Sequence, residues 1–122
     1  MNLPLLVSAI ALLSGGALIY AATANPVRTG TASWYGLEKQ GQLMANGRNF
    51  DHTAMTCAGW DWPLGTILKV TNEANGFAVI VECTDRGPGK ELGRLIDLSG
   101  GAFSKIADLK YGLITVSVEV VK

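Results

Sequence analysis

Two carboxylates stand at the ends of two predicted strands, where side chains of this type can transfer protons. Phe77 to Cys83 is apolar and β-branched enough for a half-buried strand, and it runs into Asp85 and a loop rich in glycine and proline. Gly93 to Leu98 is a second short extended run, and it carries Asp97. Carboxylates placed where strands give way to loops are typical of carbohydrate-cleaving or proton-transferring sites.

The residues around these acids predict the elements that position them. Ser99 stands where it can cap a short helix, because apolar residues recur three and four positions apart after it. The Asn-Gly pair at 75–76 is a strong hairpin signal, which joins the predicted strand Ile67–Thr71 to the first acid-bearing strand.

Two further strands are predicted at the ends of the domain. Thr29 to Tyr35 is the first, and its consecutive residues Trp34 and Tyr35 must point to opposite faces. Valines at 116, 118 and 120 alternate with polar residues, which is typical of a strand with one core face. These patterns alone support a small β-rich domain.

The ordered set of short motifs in this chain resembles the rare lipoprotein A family. The motifs are GTASWYG at 30–36, ANG followed by an aromatic residue and Asp at 45–51, MTCA at 55–58, PLGT at 63–66, DRGP at 85–88, IDLS at 96–99 and the terminal GLITVSVEVV. The match runs from about Gly30 to Val121. The resemblance implies an all-β fold, a six-stranded double-psi β-barrel with one or two short helices. Expansins contain a similar barrel.

The family resemblance also implies a lytic transglycosylase-like activity on peptidoglycan glycan strands. Such a reaction needs an acid that protonates the glycosidic oxygen and a base for the muramoyl C6 hydroxyl, and one residue can serve both in turn. Asp97 is the main candidate, because it matches the acid of the IDLS motif. We expect Asp85 and Asp51 to converge with it on one groove, to tune its pKa by like-charge proximity and to orient substrate.

Four other residues are predicted to bind substrate: Tyr35, Asn46, Trp60 and Arg86. Aromatic faces stack on the apolar faces of sugar rings, which suits Tyr35 and Trp60, although either can instead fill the barrel. Arg86 has the alternative role of a structural partner for Asp85.

Two positions depart from the family pattern. Arg48 stands where the family has a glutamate, and Gly59 stands where it has a histidine. Asp51 is the one member of that polar trio that this chain keeps. Arg48 is expected to lower the pKa of Asp51 and make it a poor proton donor, and His52 is expected to be a surface or core histidine.

These departures keep two other functions open. The first is non-catalytic glycan binding or wall loosening, as in expansins. The second is a structural or inhibitory protein that uses the barrel only as a scaffold, since fold does not fix function.

Cys57 and Cys83 are the two cysteines of the chain, and both follow the predicted export signal. An even number of cysteines in an exported domain predicts a disulfide, and two buried free thiols are the alternative. The chain has no CxxC and a single histidine, so no metal or other cofactor is predicted.

The first 24 residues are predicted to direct export. Leu3 to Ala22 contains no charge, and Ala22-Thr23-Ala24 is a small-x-small cleavage pattern. A cleaved signal peptide and an uncleaved membrane anchor at 3–22 both fit. The predicted division is residues 1–24 for export, 25–29 as a linker and 30–122 as the barrel, in the periplasm or outside the cell. The 10 basic and 10 acidic side chains argue against nucleic acid as a partner.

Overall fold

Six strands dominate residues 26–122, the part of the chain that the computed structural model describes. They are β1 (Arg28–Tyr35), β2 (Thr56–Ala58), β3 (Ile67–Asn72), β4 (Ala78–Asp85), β5 (Ile96–Ser99) and β6 (Ile114–Val120). One α-helix, α1 (Gly100–Ser104), follows β5 directly. Single 3₁₀ turns cover Leu37–Lys39, Lys90–Leu92 and Leu109–Tyr111. The predicted export segment lies outside the described residues.

The strands close into a barrel in the order β1, β5, β2, β4, β3, β6. The pairs β1·β5 and β2·β4 are parallel, and the other four neighbouring pairs are antiparallel. Closure pairs every strand on both sides, which removes the free edges that favour aggregation. The six-stranded barrel expected from the family resemblance is confirmed.

The barrel interior is filled by side chains from alternate residues along the strands, which point inward. Branched aliphatic side chains such as Leu68, Val70, Ile96 and Val116 are fully buried there, and Phe103 of α1 packs against the same core. Val118 continues the inward face of β6, as the alternation predicts.

The helix cap forms as predicted. Ser99 has extended backbone, and its hydroxyl oxygen accepts a hydrogen bond from the Ala102 amide at 3.1 Å. The Ser99 hydroxyl also donates to the carbonyl of Ala54, so the same side chain ties α1 to the segment before β2. This cap fixes the chain immediately after Asp97.

The structure differs from the sequence prediction at several strand boundaries. β4 continues to Asp85, so this acid is the last strand residue instead of the first loop residue. β5 is shorter than the predicted run from 93, because Gly93 has φ 69° and ends the 3₁₀ turn before it. β1 begins at Arg28, inside the predicted linker. β2, with three residues, was not predicted.

Among residues 26–122, no helix combines the length and the apolar character that a membrane crossing requires.

Candidate active site

A cavity of about 230 Å³ lies against the outer face of the barrel wall, where β1, β5, β2 and β4 are neighbours. Asp85 and Asp97 both line this acid cavity. The rest of its lining is Tyr35, Lys39, Gln42, Leu43, Met44, Phe50, Ala58, Arg86, Gly87, Pro88 and Gly89. A larger and mostly apolar groove of about 550 Å³ is lined by Trp34, His52 and α1, and neither candidate acid reaches it.

Strand alternation explains why the cavity forms outside the barrel. Trp34 packs against the barrel core, whereas Tyr35 belongs to a separate cluster with Met44, Phe50 and Ala58. The rings of Tyr35 and Phe50 stack with centroids 4.5 Å apart. The 44–50 segment therefore covers the outer wall, and the cavity is the space left beneath this cover.

Asp97 occupies a position set by three strands. It lies opposite Ser33 of β1 and opposite Ala58 of β2. The Ser33 hydroxyl donates a hydrogen bond to Asp97 Oδ1 at 2.9 Å. Since the neighbouring residues Ile96 and Leu98 are fixed in the core, strand alternation directs Asp97 outward into the cavity.

Burial raises the pKa of Asp97 to about 6. The Ser33 hydrogen bond and the charge of Arg94 oppose this rise in pKa, and the nearby carboxylate of Glu38 adds to it. The expectation that Asp85 and Asp51 would set this pKa by like-charge repulsion is wrong, because removal from water is the main cause. A carboxyl group with a pKa near 6 can both donate and accept a proton close to neutral pH.

Asp85 organises the loops around the cavity. Its Oδ1 accepts hydrogen bonds from the backbone amides of Ala45 and Arg86, each at 2.9 Å. The first of these bonds ties the covering segment to the end of β4. Asp85 therefore lines the cavity and also holds its cover in place.

Arg86 lines the cavity, and its guanidinium binds backbone carbonyl groups and not the Asp85 carboxylate that was predicted as its structural partner. Its Nη1 donates to the carbonyl oxygens of Gly59 and Trp62 at 2.8 and 2.7 Å. The described residues contain no ion pair between Arg86 and the Asp85 carboxylate. The guanidinium instead holds the 59–62 segment against the end of β4.

The Tyr35 hydroxyl is buried at this site and has no hydrogen-bond partner among the described residues. Burial raises the pKa of Tyr35, and the charges of Asp85 and Asp97 raise it further. The hydroxyl therefore stays protonated and lies close enough to both acids to sense their charge. A buried polar atom without a partner is rare.

Asp51 does not line the acid cavity, so the structure does not bring all three predicted acids together. It is exposed, and its Oδ1 accepts bonds from the Thr53 amide at 3.0 Å and the Thr53 hydroxyl at 2.8 Å. These bonds lower the pKa of Asp51. The direction agrees with the sequence argument but the predicted cause is wrong, since Arg48 is not the residue responsible.

Arg48 forms an ion pair with Glu82, with Nη2 and Oε1 3.0 Å apart. Asn46, a predicted substrate-binding residue, is outside the cavity lining and accepts a hydrogen bond from the Arg48 amide in a tight turn. Both side chains therefore shape the covering segment instead of reaching the cavity.

Gly59 is explained by its neighbour Trp62. A Cβ atom at Gly59 would lie 2.8 Å from Cε3 of the buried Trp62 ring. The indole thus occupies the volume that a side chain at 59 would need. Trp60, two residues before Trp62, is 46% exposed. Its Nε1 donates a hydrogen bond to the carbonyl of Pro88, which lines the cavity.

Cys57 and Cys83 are aligned opposite each other across the parallel β2·β4 pair. Both are buried and are free thiols in this structure, so the predicted disulfide is absent from it. The hydrogen bond between the thiols raises the pKa of Cys57 and lowers that of Cys83 to about 7, and Arg86 adds to the lowering. The register places the two cysteines side by side on neighbouring strands.

Sequence reasoning missed Ser33, Lys39 and the covering residues Met44 and Phe50. Strand alternation could have identified Ser33, because this residue lies on the same face of β1 as Tyr35. Lys39 and the covering residues belong to a loop whose path no periodic pattern specifies.

The closed six-stranded barrel, with a partly buried acid in a cavity of its wall, has the architecture of a double-psi β-barrel. A family model described as lytic transglycolase matches residues 27–118. The probable endolytic peptidoglycan transglycosylase RlpA of Synechocystis sp. is 43% identical over 102 residues, which cover 84% of this chain and 32% of that protein. The endolytic peptidoglycan transglycosylase RlpA of Vibrio cholerae is 42% identical over 93 residues, covering 76% of this chain and 35% of that protein.

The chain belongs to this RlpA-like lytic transglycosylase family. It spans about a third of the length of these curated relatives.

Solved structures agree on the fold. The apo expansin of Clavibacter michiganensis is 31% identical, with a TM-score of 0.62 over 80% of this chain and 51% of that one. Streptomyces papain inhibitor has a TM-score of 0.66 over 82% of this chain and 98% of that one, but at 24% identity it supports the fold alone.

Proposed function

We propose that this domain binds a peptidoglycan glycan strand at the acid cavity and cleaves it by lytic transglycosylation. The observation that carries the proposal is Asp97, a carboxyl group turned into a cavity, hydrogen-bonded by Ser33 and given a pKa of about 6 by burial. The relatives named endolytic peptidoglycan transglycosylases support the choice of substrate.

In the proposed reaction Asp97 acts first as an acid and then as a base. The protonated carboxyl donates its proton to the glycosidic oxygen as the bond from that oxygen to C1 of the muramoyl residue breaks. The carboxylate then accepts the proton of the C6 hydroxyl while the C6 oxygen bonds to C1. The products are a free sugar hydroxyl and a 1,6-anhydro end, and Asp97 regains its proton.

The neighbouring residues are assigned supporting roles. Tyr35 lines the cavity and is assigned to substrate binding, and Asp85 positions the cover through Ala45. Lys39 also lines the cavity and contributes a positive charge to it. Asp51 stands outside the cavity, so we assign it no proton transfer and expect it to contribute only to binding at the periphery.

The test is incubation of the full chain with purified glycan strands that lack stem peptides, followed by mass spectrometry. Products with 1,6-anhydro ends from the parent, and none from the folded Asp97→Asn variant, support the proposal. Equal product from both proteins would remove Asp97 from its role.

Glycan binding without cleavage is the second candidate, and specific residues favour it. Arg48 and Gly59 replace two polar groups of the family pattern, and Trp62 fills the space beside Gly59. A related expansin structure, 26% identical with a TM-score of 0.62, is described as a complex with cellohexaose. Retained pull-down on glycan strands without any anhydro product would promote this function over cleavage.

Export follows from the same proposal, because peptidoglycan lies outside the cytoplasm. We assign residues 1–24 to export as a signal peptide or an anchor, and the periplasm or exterior as the destination. In such an oxidising compartment the aligned thiols of Cys57 and Cys83 would form a disulfide.

Thiol titration of the chain purified from its export compartment, under denaturing and non-reducing conditions, tests this disulfide. No titratable thiol is expected before reduction and two after it. Two free thiols in the unreduced chain would contradict the prediction.

A further inference from the structure

We propose that Trp60 and Lys90 form an outer subsite that extends the acid cavity and binds a sugar carrying a carboxylate. This inference rests on the proposed glycan function and specifies a second part of the site. It begins from Trp60, a residue that is 46% exposed although its indole is hydrogen-bonded to the cavity rim. Large aromatic side chains that are held in place and left open to solvent are suited to stacking on sugar rings.

The Trp60 ring is fixed to the rim by a hydrogen bond. Its Nε1 donates to the Pro88 carbonyl at 2.6 Å, and Pro88 and Gly89 both line the acid cavity. On the chain before it, the Gly59 carbonyl accepts from Arg86, another lining residue. Trp60 is therefore held from two sides by the loop that forms the cavity wall, so a glycan leaving the cavity along this wall meets the ring.

Lys90 gives the subsite its charge preference. Its ammonium group lies 4.9 Å from the centroid of the Trp60 ring. Among residues 26–122, Lys90 forms no ion pair, so its charge is available to a ligand. A cation beside an aromatic surface matches a sugar that presents an apolar ring face and an acidic substituent, such as a muramoyl residue with its lactyl carboxylate.

Acidic side chains near the subsite set a limit on this attraction. Asp61 is adjacent in sequence, but it is paired with Arg28 at 3.0 Å. The Glu91 carboxylate lies against the backbone of Gly89, since a Cβ atom added to that glycine would be 2.7 Å from Glu91 Oε2. The Asp61 charge is thus largely compensated, and Lys90 is the cation placed on the aromatic surface.

The test measures binding and cleavage separately. Binding is measured by calorimetry with peptide-free glycan strands and with neutral chitohexaose, in an Asp97→Asn background that prevents turnover. Trp60→Ala is expected to weaken binding of both ligands roughly five- to tenfold. Lys90→Gln is expected to weaken binding of the acidic strands severalfold and to leave the affinity for chitohexaose unchanged. Lys90→Arg, which keeps the positive charge, is expected to bind the acidic strands as the parent does.

Phe77→Ala is the matched control. Phe77 is also an exposed aromatic residue, but it lies just before the start of β4, while the cavity lies at the other end of that strand. Trp60→Phe keeps an aromatic ring without the indole donor, and circular dichroism checks the fold of each variant.

The outcomes separate this subsite from the proposed function. Loss of affinity in Trp60→Ala with none in Phe77→Ala supports the subsite, whether or not the parent cleaves glycan. Equal affinities in those two variants overturn the subsite, and cleavage by the parent would then leave the proposed function standing. Equal loss for both ligands in Lys90→Gln overturns the carboxylate preference. A parent chain that neither binds nor cleaves overturns both proposals.

Discussion

The segment from Asp85 to Ser99 and the segment from Ala45 to Gly59 both carry family motifs, but they differ in what the fold does with their acids. Asp97 lies on a strand, is largely withdrawn from water and has its pKa raised to about 6. Asp51 lies in an exposed turn, where two bonds from Thr53 lower its pKa. Two aspartates of one domain are thus shifted in opposite directions by their surroundings, which means that a motif match alone does not assign proton transfer.

The largest expected effect of this difference is on cleavage. Asp97→Asn removes the proton that the reaction needs, so anhydro product should fall by about 100-fold or more, the usual range for loss of a general acid. Asp51→Asn is expected to change the rate by no more than about threefold, because this residue is outside the cavity. Initial rates of anhydro-end formation measure both variants. Comparable losses of rate in the two variants would contradict the different roles assigned to Asp97 and Asp51.

The next effect concerns the departure at Gly59. Adding the family histidine there forces atoms into the buried Trp62 ring, and overpacking of this kind typically costs about 1–3 kcal/mol. We therefore expect the double variant Arg48→Glu, Gly59→His to be less stable than the parent, so that any gain in activity is offset by loss of folded protein.

A double-mutant cycle isolates the contact. Gly59→Ala is measured by urea unfolding in the parent and in Trp62→Leu. The penalty should be present in the parent and shrink when the smaller leucine leaves room. A penalty that is the same in both backgrounds would show that Trp62 is not the reason for the glycine.

A smaller effect is expected on stability as a function of pH. The folded pKa of Asp97 lies above its ordinary value of 3.8, so ionising this group opposes folding. The penalty is absent below about pH 3.8, grows as pH rises and is complete above about 6. Asp97→Asn should therefore stabilise the domain by about 3 kcal/mol at pH 7.5 and have little effect at pH 3.5.

Asp51→Asn is the control for the sign of this effect. A lowered pKa stabilises the folded state above the ordinary value and loses that contribution as pH falls. Chemical denaturation at the two pH values should thus give opposite trends for the two variants. A destabilising Asp97→Asn change at pH 7.5 would contradict the burial of the charged group.

The sequence predicted what depends on local pattern. The Ser99 cap, the β3–β4 hairpin and the opposite directions of Trp34 and Tyr35 follow from cap chemistry, turn residues and strand alternation. Asp85 lies at the end of β4, as the same signals predicted, but the prediction that Asp97 ends its strand is wrong, because Asp97 is the second of the four residues of β5.

The sequence predictions were wrong where a side chain contacts residues that are distant in sequence. Arg48 pairs with Glu82, which is 34 positions away, and Arg86 binds two carbonyl groups of the 59–62 segment. No periodicity specifies such contacts. Asp51 was misplaced because Thr53, two residues on, holds it in a local turn. β2 was missed because three residues are too few to show alternation.

The most direct test of the account is an NMR titration of the aspartate carboxyl carbons in the full chain. Asp97 should titrate near pH 6, and Asp51 should titrate below 3.8 in the same sample. A pKa for Asp97 at or below 3.8 would contradict the account, because the cavity would then hold no group that can supply a proton near neutral pH.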